Sequence, residues 1–282
     1  MRFILFLAFL LSVPVSAQEG GNIHWAMAAY FGTGAYKVSD NKEVYVIRPT
    51  PRWTIKEDAF DADTGKRTFG WRFKAPIAIG LHKFEFDDLP GIIDPDNLGS
   101  VSFVPGIEMS IPVTERWTLR PIANVGWGSL TDGSETAWSY WAGIKSRYQL
   151  PALGKMNWDL LNTISYVGYS PEKDKQEDMV PLMIGLDFSY PLSENLTLGG
   201  DALNFNWHAT YTYYEKDMDF VVQRQTIESV KEAWEVGFSI AKQGKRIDFW
   251  RFSLDRIGLG FQESAAGVRG VKLYFRSVFE YL

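Results

Sequence analysis

From residue 22 onward, apolar and polar side chains alternate in runs separated by clusters of Gly, Pro, Asp, Asn and Ser. In TLRPIANVGW, Leu119, Pro121, Ala123, Val125 and Trp127 share one face, opposite Arg120, Asn124 and Gly126. In VPLMIGLDFSY, Val180, Leu182, Ile184, Leu186, Phe188 and Tyr190 share one face, opposite Gly185, Asp187 and Ser189. A period of two is the signature of a strand with unlike surroundings on its two sides. Twelve such runs are predicted: 22–31, 43–55, 68–86, 101–111, 117–130, 136–150, 156–169, 179–190, 196–214, 231–241, 246–263 and 268–282. Most are about twice the five or six residues usual in soluble sheets.

The connections alternate too. PVTER (112–116), PALGK (151–155), PLSEN (191–195) and KQGK (242–245) are short, and three open with proline, which cannot donate to a ladder and so closes a strand. Between them lie longer, more acidic stretches, among them DDLPGIIDPDNLGS and EKDMDFVVQRQTIESV. Short turns at one end and long loops at the other describe an outer-membrane barrel, and an even strand count puts both termini at the short-turn, periplasmic end. The connection Lys56 to Arg67 is the exception, a long link on the short-turn side.

Composition agrees with a barrel in lipid. Aromatics make up 15% of the chain, yet mean hydropathy is only −0.15, as expected where lipid-facing and lumen-facing residues cancel. Past the N-terminus no apolar stretch approaches the roughly twenty residues that a membrane helix needs. Trp117, Trp127, Trp138, Tyr148, Trp158, Tyr190, Tyr213 and Tyr281 fall near strand ends, as interfacial girdles do. Residues 1–17, MRFILFLAFLLSVPVSA, have the charge, apolar run and small-residue exit of a secretory signal peptide cleaved after Ala17. That leaves one β-barrel domain over 18–282 in the bacterial outer membrane. The chain has no cysteine, hence no disulfide and no lipoprotein anchor. The formal charge of −5 argues against nucleic acid.

With the apolar faces outside, the inward positions of the second, third, fifth and sixth strands carry Arg48, Arg52, Arg72, Lys74, Arg120, Lys145 and Arg147, with Glu108 beside them. These form a basic arc, mostly in the periplasmic half. It can be read as an anion-attracting mouth or docking surface. It can equally be read as one side of a salt-bridge network with Asp159, Asp187, Glu235, Asp248, Asp255 and Glu280, filling a small barrel. In the eleventh run Trp250-Arg251 and Asp255-Arg256 put a charge on each face, which calls for a bulge or a one-residue slip.

No catalytic, metal-binding or cofactor-binding constellation emerges. His24 opens the first run, His82 lies near the outer end of the third, and His208 faces inward beside Asn204, Asn206 and Thr210 with no serine nearby in sequence. An outer-membrane lipid or lipopolysaccharide hydrolase using His82 or His208 as base is the enzymatic alternative. A soluble periplasmic β-protein is the other.

The run RWTLRPIANVGWGSL with ETAWSYWAGIKSRYQL, and a last strand rich in aromatics, resembles the β-barrel translocator of autotransporters. The resemblance implies a twelve-stranded barrel, up and down, lodged among outer-membrane lipid and lipopolysaccharide. Only QEGG separates the cleavage site from the first run, so no passenger is expected in cis; Glu215 to Val230 is a candidate inward plug in place of the family's linker. The final run looks like the terminal signal read by the barrel assembly machinery, with Val271, Leu273, Phe275, Phe279 and Tyr281 toward lipid, though it departs from that pattern at Ser277 and Leu282. The reading as a membrane barrel predicts that the protein fractionates with membranes and runs faster on gels unheated than boiled; migration unaffected by boiling contradicts it.

Overall fold

A computed structural model describes residues 21–23, 30–39, 42–82, 98–172, 176–222, 225–249, 252–264 and 268–281; the proposed signal peptide and His24 lie outside them. Twelve antiparallel strands close into a barrel. Strand β1 is Gly34–Ser39. β2 runs Lys42–Ile47 and resumes Arg52–Lys56; β3 is Gly70–Lys74 and Ile77–His82; β4 is Leu98–Phe103 and Gly106–Thr114. The long strands follow: β5 Trp117–Leu130, β6 Thr136–Gln149 and β7 Asn157–Pro171. β8 comprises Glu177–Met179 and Pro181–Pro191. β9 is Asp201–Val222 and β10 Gln225–Lys242. β11 is Ile257–Ser264 and β12 Arg269–Tyr274, and a short helix α1, Val278–Tyr281, follows.

The expected faces point as the alternation demands. Val125, Trp127, Trp138, Ile164, Ile184, Trp234, Phe261, Val271 and Leu273 are exposed on the outer wall. Glu108, Arg120, Lys145, Asp187, His208 and Glu235 are buried within. An apolar belt around a closed sheet is the arrangement that lipid selects, because the ladder satisfies the backbone and leaves no edge.

Three strands break at one level. The carbonyls of Pro49 and Pro51 accept from Ile77 N (3.0 Å) and Ala75 N (2.9 Å), that of Pro76 from Val104 N (3.1 Å), and that of Pro105 from Val125 N (3.0 Å). Each proline lacks a donor, so β2, β3 and β4 are interrupted there. Its carbonyl still carries the ladder to the next strand.

Glycines opposite rings pack the other wall. Gly237 of β10 pairs with His208 of β9, and a Cβ on Gly237 would lie 2.2 Å from the ring of His208. Gly270 of β12 pairs with Tyr36 of β1 in the same way. The missing side chain makes room for a ring to lie flat over the sheet.

The two ends of the chain depart from expectation. The first barrel strand is 34–39, not 22–31. Gly21–Ile23 pairs in parallel with Met218–Phe220 at the long-loop end, so the described N-terminal residues lie opposite the end where the strand count put them. β12 stops at Tyr274, so the expectation of a last strand to Leu282 is corrected. Phe275 is half-buried beyond the strand, its carbonyl accepting from Asp255 N at 3.1 Å. Phe279 is not on the lipid face: it is 2% exposed inside the barrel, and Tyr281 belongs to α1. Closure joins Gly34–Lys37 to Lys272–Arg269.

Two connections also differ. Beyond KQGK the chain makes a separate hairpin, Ile247–Phe249 with Phe252–Leu254, before β11 begins at Ile257. Asp255-Arg256 therefore sits at a junction between two elements, and no slip within one strand is needed. Of the candidate plug 215–230, residues 215–222 and 225–230 are described and lengthen β9 and β10 into a paired ribbon. Lys56 to Arg67 is a long link as expected, built around the small hairpin Ala59–Phe60 with Arg67–Thr68.

The seating of His208 gives a test. Gly237→Leu forces the ring off the sheet, and overpacking of this kind costs about 1–3 kcal/mol. A lower denaturant midpoint for loss of the fast-migrating gel form is the expected outcome, whereas Gly244→Ala, in an open turn, serves as a milder comparison.

Candidate functional site: a charged cluster closed by the C-terminal helix

Strand register alone would make this region unstable. Arg52 of β2 lies opposite Lys74 of β3, and Arg120 of β5 opposite Lys145 of β6. Like charges directly across a ladder repel. Their remedy is two carboxylates. Glu108 of β4, fully buried, sits 2.5 Å from Lys74 Nζ, 3.4 Å from Lys145 Nζ, 3.6 Å from Arg72 and 3.7 Å from Arg120. The second comes from α1. Glu280 Oε1 accepts from Arg120 (2.5 Å) and Arg72 (3.2 Å), and Oε2 from Arg52 (2.7 Å).

Apolar contacts fix the helix in place. Val278 and Phe279 pack on Leu161 of β7 and Met183 of β8, which are buried on the lumen side. The guanidinium of Arg120 lies 4.6 Å from the centre of the Phe279 ring, a cation–π contact. Lys145 Nζ donates to the Phe279 carbonyl at 3.2 Å. The helix thus sits within the barrel near the short-turn end. Asp255, at the foot of β11, binds Arg52 at 3.0 Å and Arg246 at 3.3 Å. Arg52 therefore ties the lower part of β2 to the opposite side of the closure by ion pairs, beyond the reach of the β1–β12 ladder.

Of the seven cations in the predicted arc, Arg52, Arg72, Lys74, Arg120 and Lys145 meet in this cluster. Arg147 is apart, partly exposed and 3.1 Å from Asp159. Arg48 stands higher, its backbone N–H bound to Thr33 Oγ1 at 2.9 Å. Among the acids, Asp187 is bridged by Arg256 through bonds of 2.9 and 3.1 Å. Glu235 gathers Lys272 (2.5 Å), His208 Nε2 (2.9 Å) and the Tyr274 hydroxyl. The side chains of His82 and Asp248 lie outside the described residues. His208 therefore faces a carboxylate, a tyrosine and a lysine. No cluster of metal-ligating side chains occurs among the described residues.

Sequence reasoning placed Glu280 on the inner face but missed the helix that delivers it. A signal existed in Leu161 and Met183, apolar side chains at inward positions, which need a cover if water is not to face them. Removing one partner of a buried charge network typically costs 3–5 kcal/mol. Glu280→Gln is accordingly expected to lower the denaturant midpoint markedly, and Glu280→Gln with Arg120→Met to recover part of the loss, since the second change removes an uncompensated cation. A double variant no better than the single would contradict this account.

No protein-family model matches the chain, and no curated protein matches it in sequence. A solved structure does match in shape: the β domain of the Bordetella autotransporter BrkA, 9% identical, with a TM-score of 0.53 over 85% of this chain and 92% of that one. At that identity the likeness concerns the fold, and this chain has the fold of an autotransporter β domain, a closed twelve-stranded barrel.

Proposed function

We propose that the protein is an outer-membrane barrel without catalytic function, whose narrow pore is held shut by its own C-terminal helix and which conducts small anions when that helix leaves. The observation that carries this reading is the engagement of Glu280 by Arg52, Arg72 and Arg120. An intramolecular carboxylate occupies the basic cluster, so Arg72 and Arg120 lose their nearest carboxylate when α1 leaves. With the helix removed, five cations face two carboxylates, Glu108 and the Asp255 that holds Arg52, and the potential in a narrow lumen rises in favour of anions. The apolar outer belt, the signal-peptide pattern of residues 1–17 and the autotransporter-like fold support the outer-membrane location and lipid as the surrounding partner.

Planar-bilayer recording tests the proposal. Wild-type protein should be closed most of the time, whereas Glu280→Gln and truncation after Ser277 should raise open probability at least tenfold with anion preference in a KCl gradient. Arg72→Ala with Arg120→Ala in the truncated background should abolish that preference. Silent channels in every folded variant, or wild-type conductance unaltered by truncation, would refute it.

A further inference from the structure

Above α1 the lumen holds a cavity of about 170 Å³, bounded below by Val278 and above by the Tyr30–Gly32 segment. Its walls are unlike those of the charged cluster. Thr163 Oγ1 and Ser165 Oγ of β7, Trp141 Nε1 of β6 and Gln262 Oε1 of β11 are buried there without a hydrogen-bonding partner among the described residues. Thr163 is 9% and Ser165 3% exposed. Buried polar atoms are paired in nearly all folded proteins, and each orphan costs about 1–3 kcal/mol. Four orphans converging on one cavity are therefore a set of recognition groups.

We propose that this cavity binds a small, uncharged, hydroxyl-rich molecule of monosaccharide size. Its polar groups alternate between donor and acceptor: the indole N–H only donates, the Gln262 oxygen only accepts, and the two hydroxyls do either. A polyol, whose every hydroxyl both gives and takes, satisfies such a mixture; an anion would leave the acceptor unpaired. Tyr30 and Trp141, edge to face at 5.7 Å, add aromatic surface for the C–H face of a ring. Of the charged groups at the wall, Glu235 holds Lys272 and contacts His208, and Arg48 adds donors at one side of the space. The space is close to that of a cavity of about 150 Å³ that takes benzene, enough for roughly one six-membered ring with substituents. Gly143, opposite Ser165, keeps the wall open, because a Cβ there would lie 2.6 Å from Ser165 Oγ. The site does not depend on the helix acting as a gate.

The test uses the full chain purified in detergent and D-glucose as probe, followed by saturation-transfer NMR, with folding of each variant checked by gel migration. Wild-type protein should transfer saturation to the sugar ring, and Thr163→Val with Ser165→Ala should weaken the signal at least fivefold. Trp141→Phe, which keeps an aromatic though smaller ring and removes the N–H, should weaken it as well, and supplies the comparison should the double variant fail to fold. No transfer to glucose, xylose or myo-inositol in the wild type, or equal transfer in folded variants, overturns the proposal and leaves the cavity to water.

Discussion

The rest of the lumen depends on one constraint: cations placed on adjacent strands of a narrow barrel must be compensated inside it. Register sets Arg52 against Lys74 and Arg120 against Lys145, and the surrounding wall excludes the water that would screen them. Glu108 supplies one negative charge from within the same sheet. The second comes from a segment that leaves the sheet altogether, and the inward turn of residues 275–281 is its structural consequence. Charge balance thus explains why the last strand is cut short at Tyr274.

That shortening affects closure. β1 begins only at Gly34, and β1 and β12 share a brief ladder. Below it, Arg52 reaches Asp255 and Glu280 across the gap. Backbone bonds close one part of the cylinder and side-chain ion pairs tie another, so the helix belongs to the wall's closure as well as to the contents of the lumen. The proline row across β2, β3 and β4 lies at the level where this change occurs.

The barrel itself was readable in the chain because a closed sheet with unlike surroundings on its two faces imposes alternation on its strands. β5 spans 117–130 as its alternation predicts, and β6 and β7 agree to within two residues. Prolines 49, 51, 76 and 105 lie inside runs predicted as unbroken, and the interruptions there were missed because the alternation continues across them while the proline carbonyls carry the ladder. The eleventh run failed for a different reason: a hairpin and a strand both alternate, and a period of two does not mark the turn between them.

By itself the sequence determined the fold class, the faces of the strands and the inward placement of Arg52, Arg72, Lys74, Arg120 and Lys145, because each follows from local periodicity in a sheet with unlike surroundings on its two faces, whereas Glu280 reaches the same cluster on a helix that the alternation did not show. Only tertiary structure decided which cations meet, that Phe279 lies under Arg120 instead of facing lipid, and that Thr163, Ser165, Trp141 and Gln262 surround a common space. Those outcomes depend on distances across a closed cylinder. Residues far apart in the chain, such as Arg52 and Glu280, become neighbours only when the first and last strands meet, and no local pattern encodes that meeting.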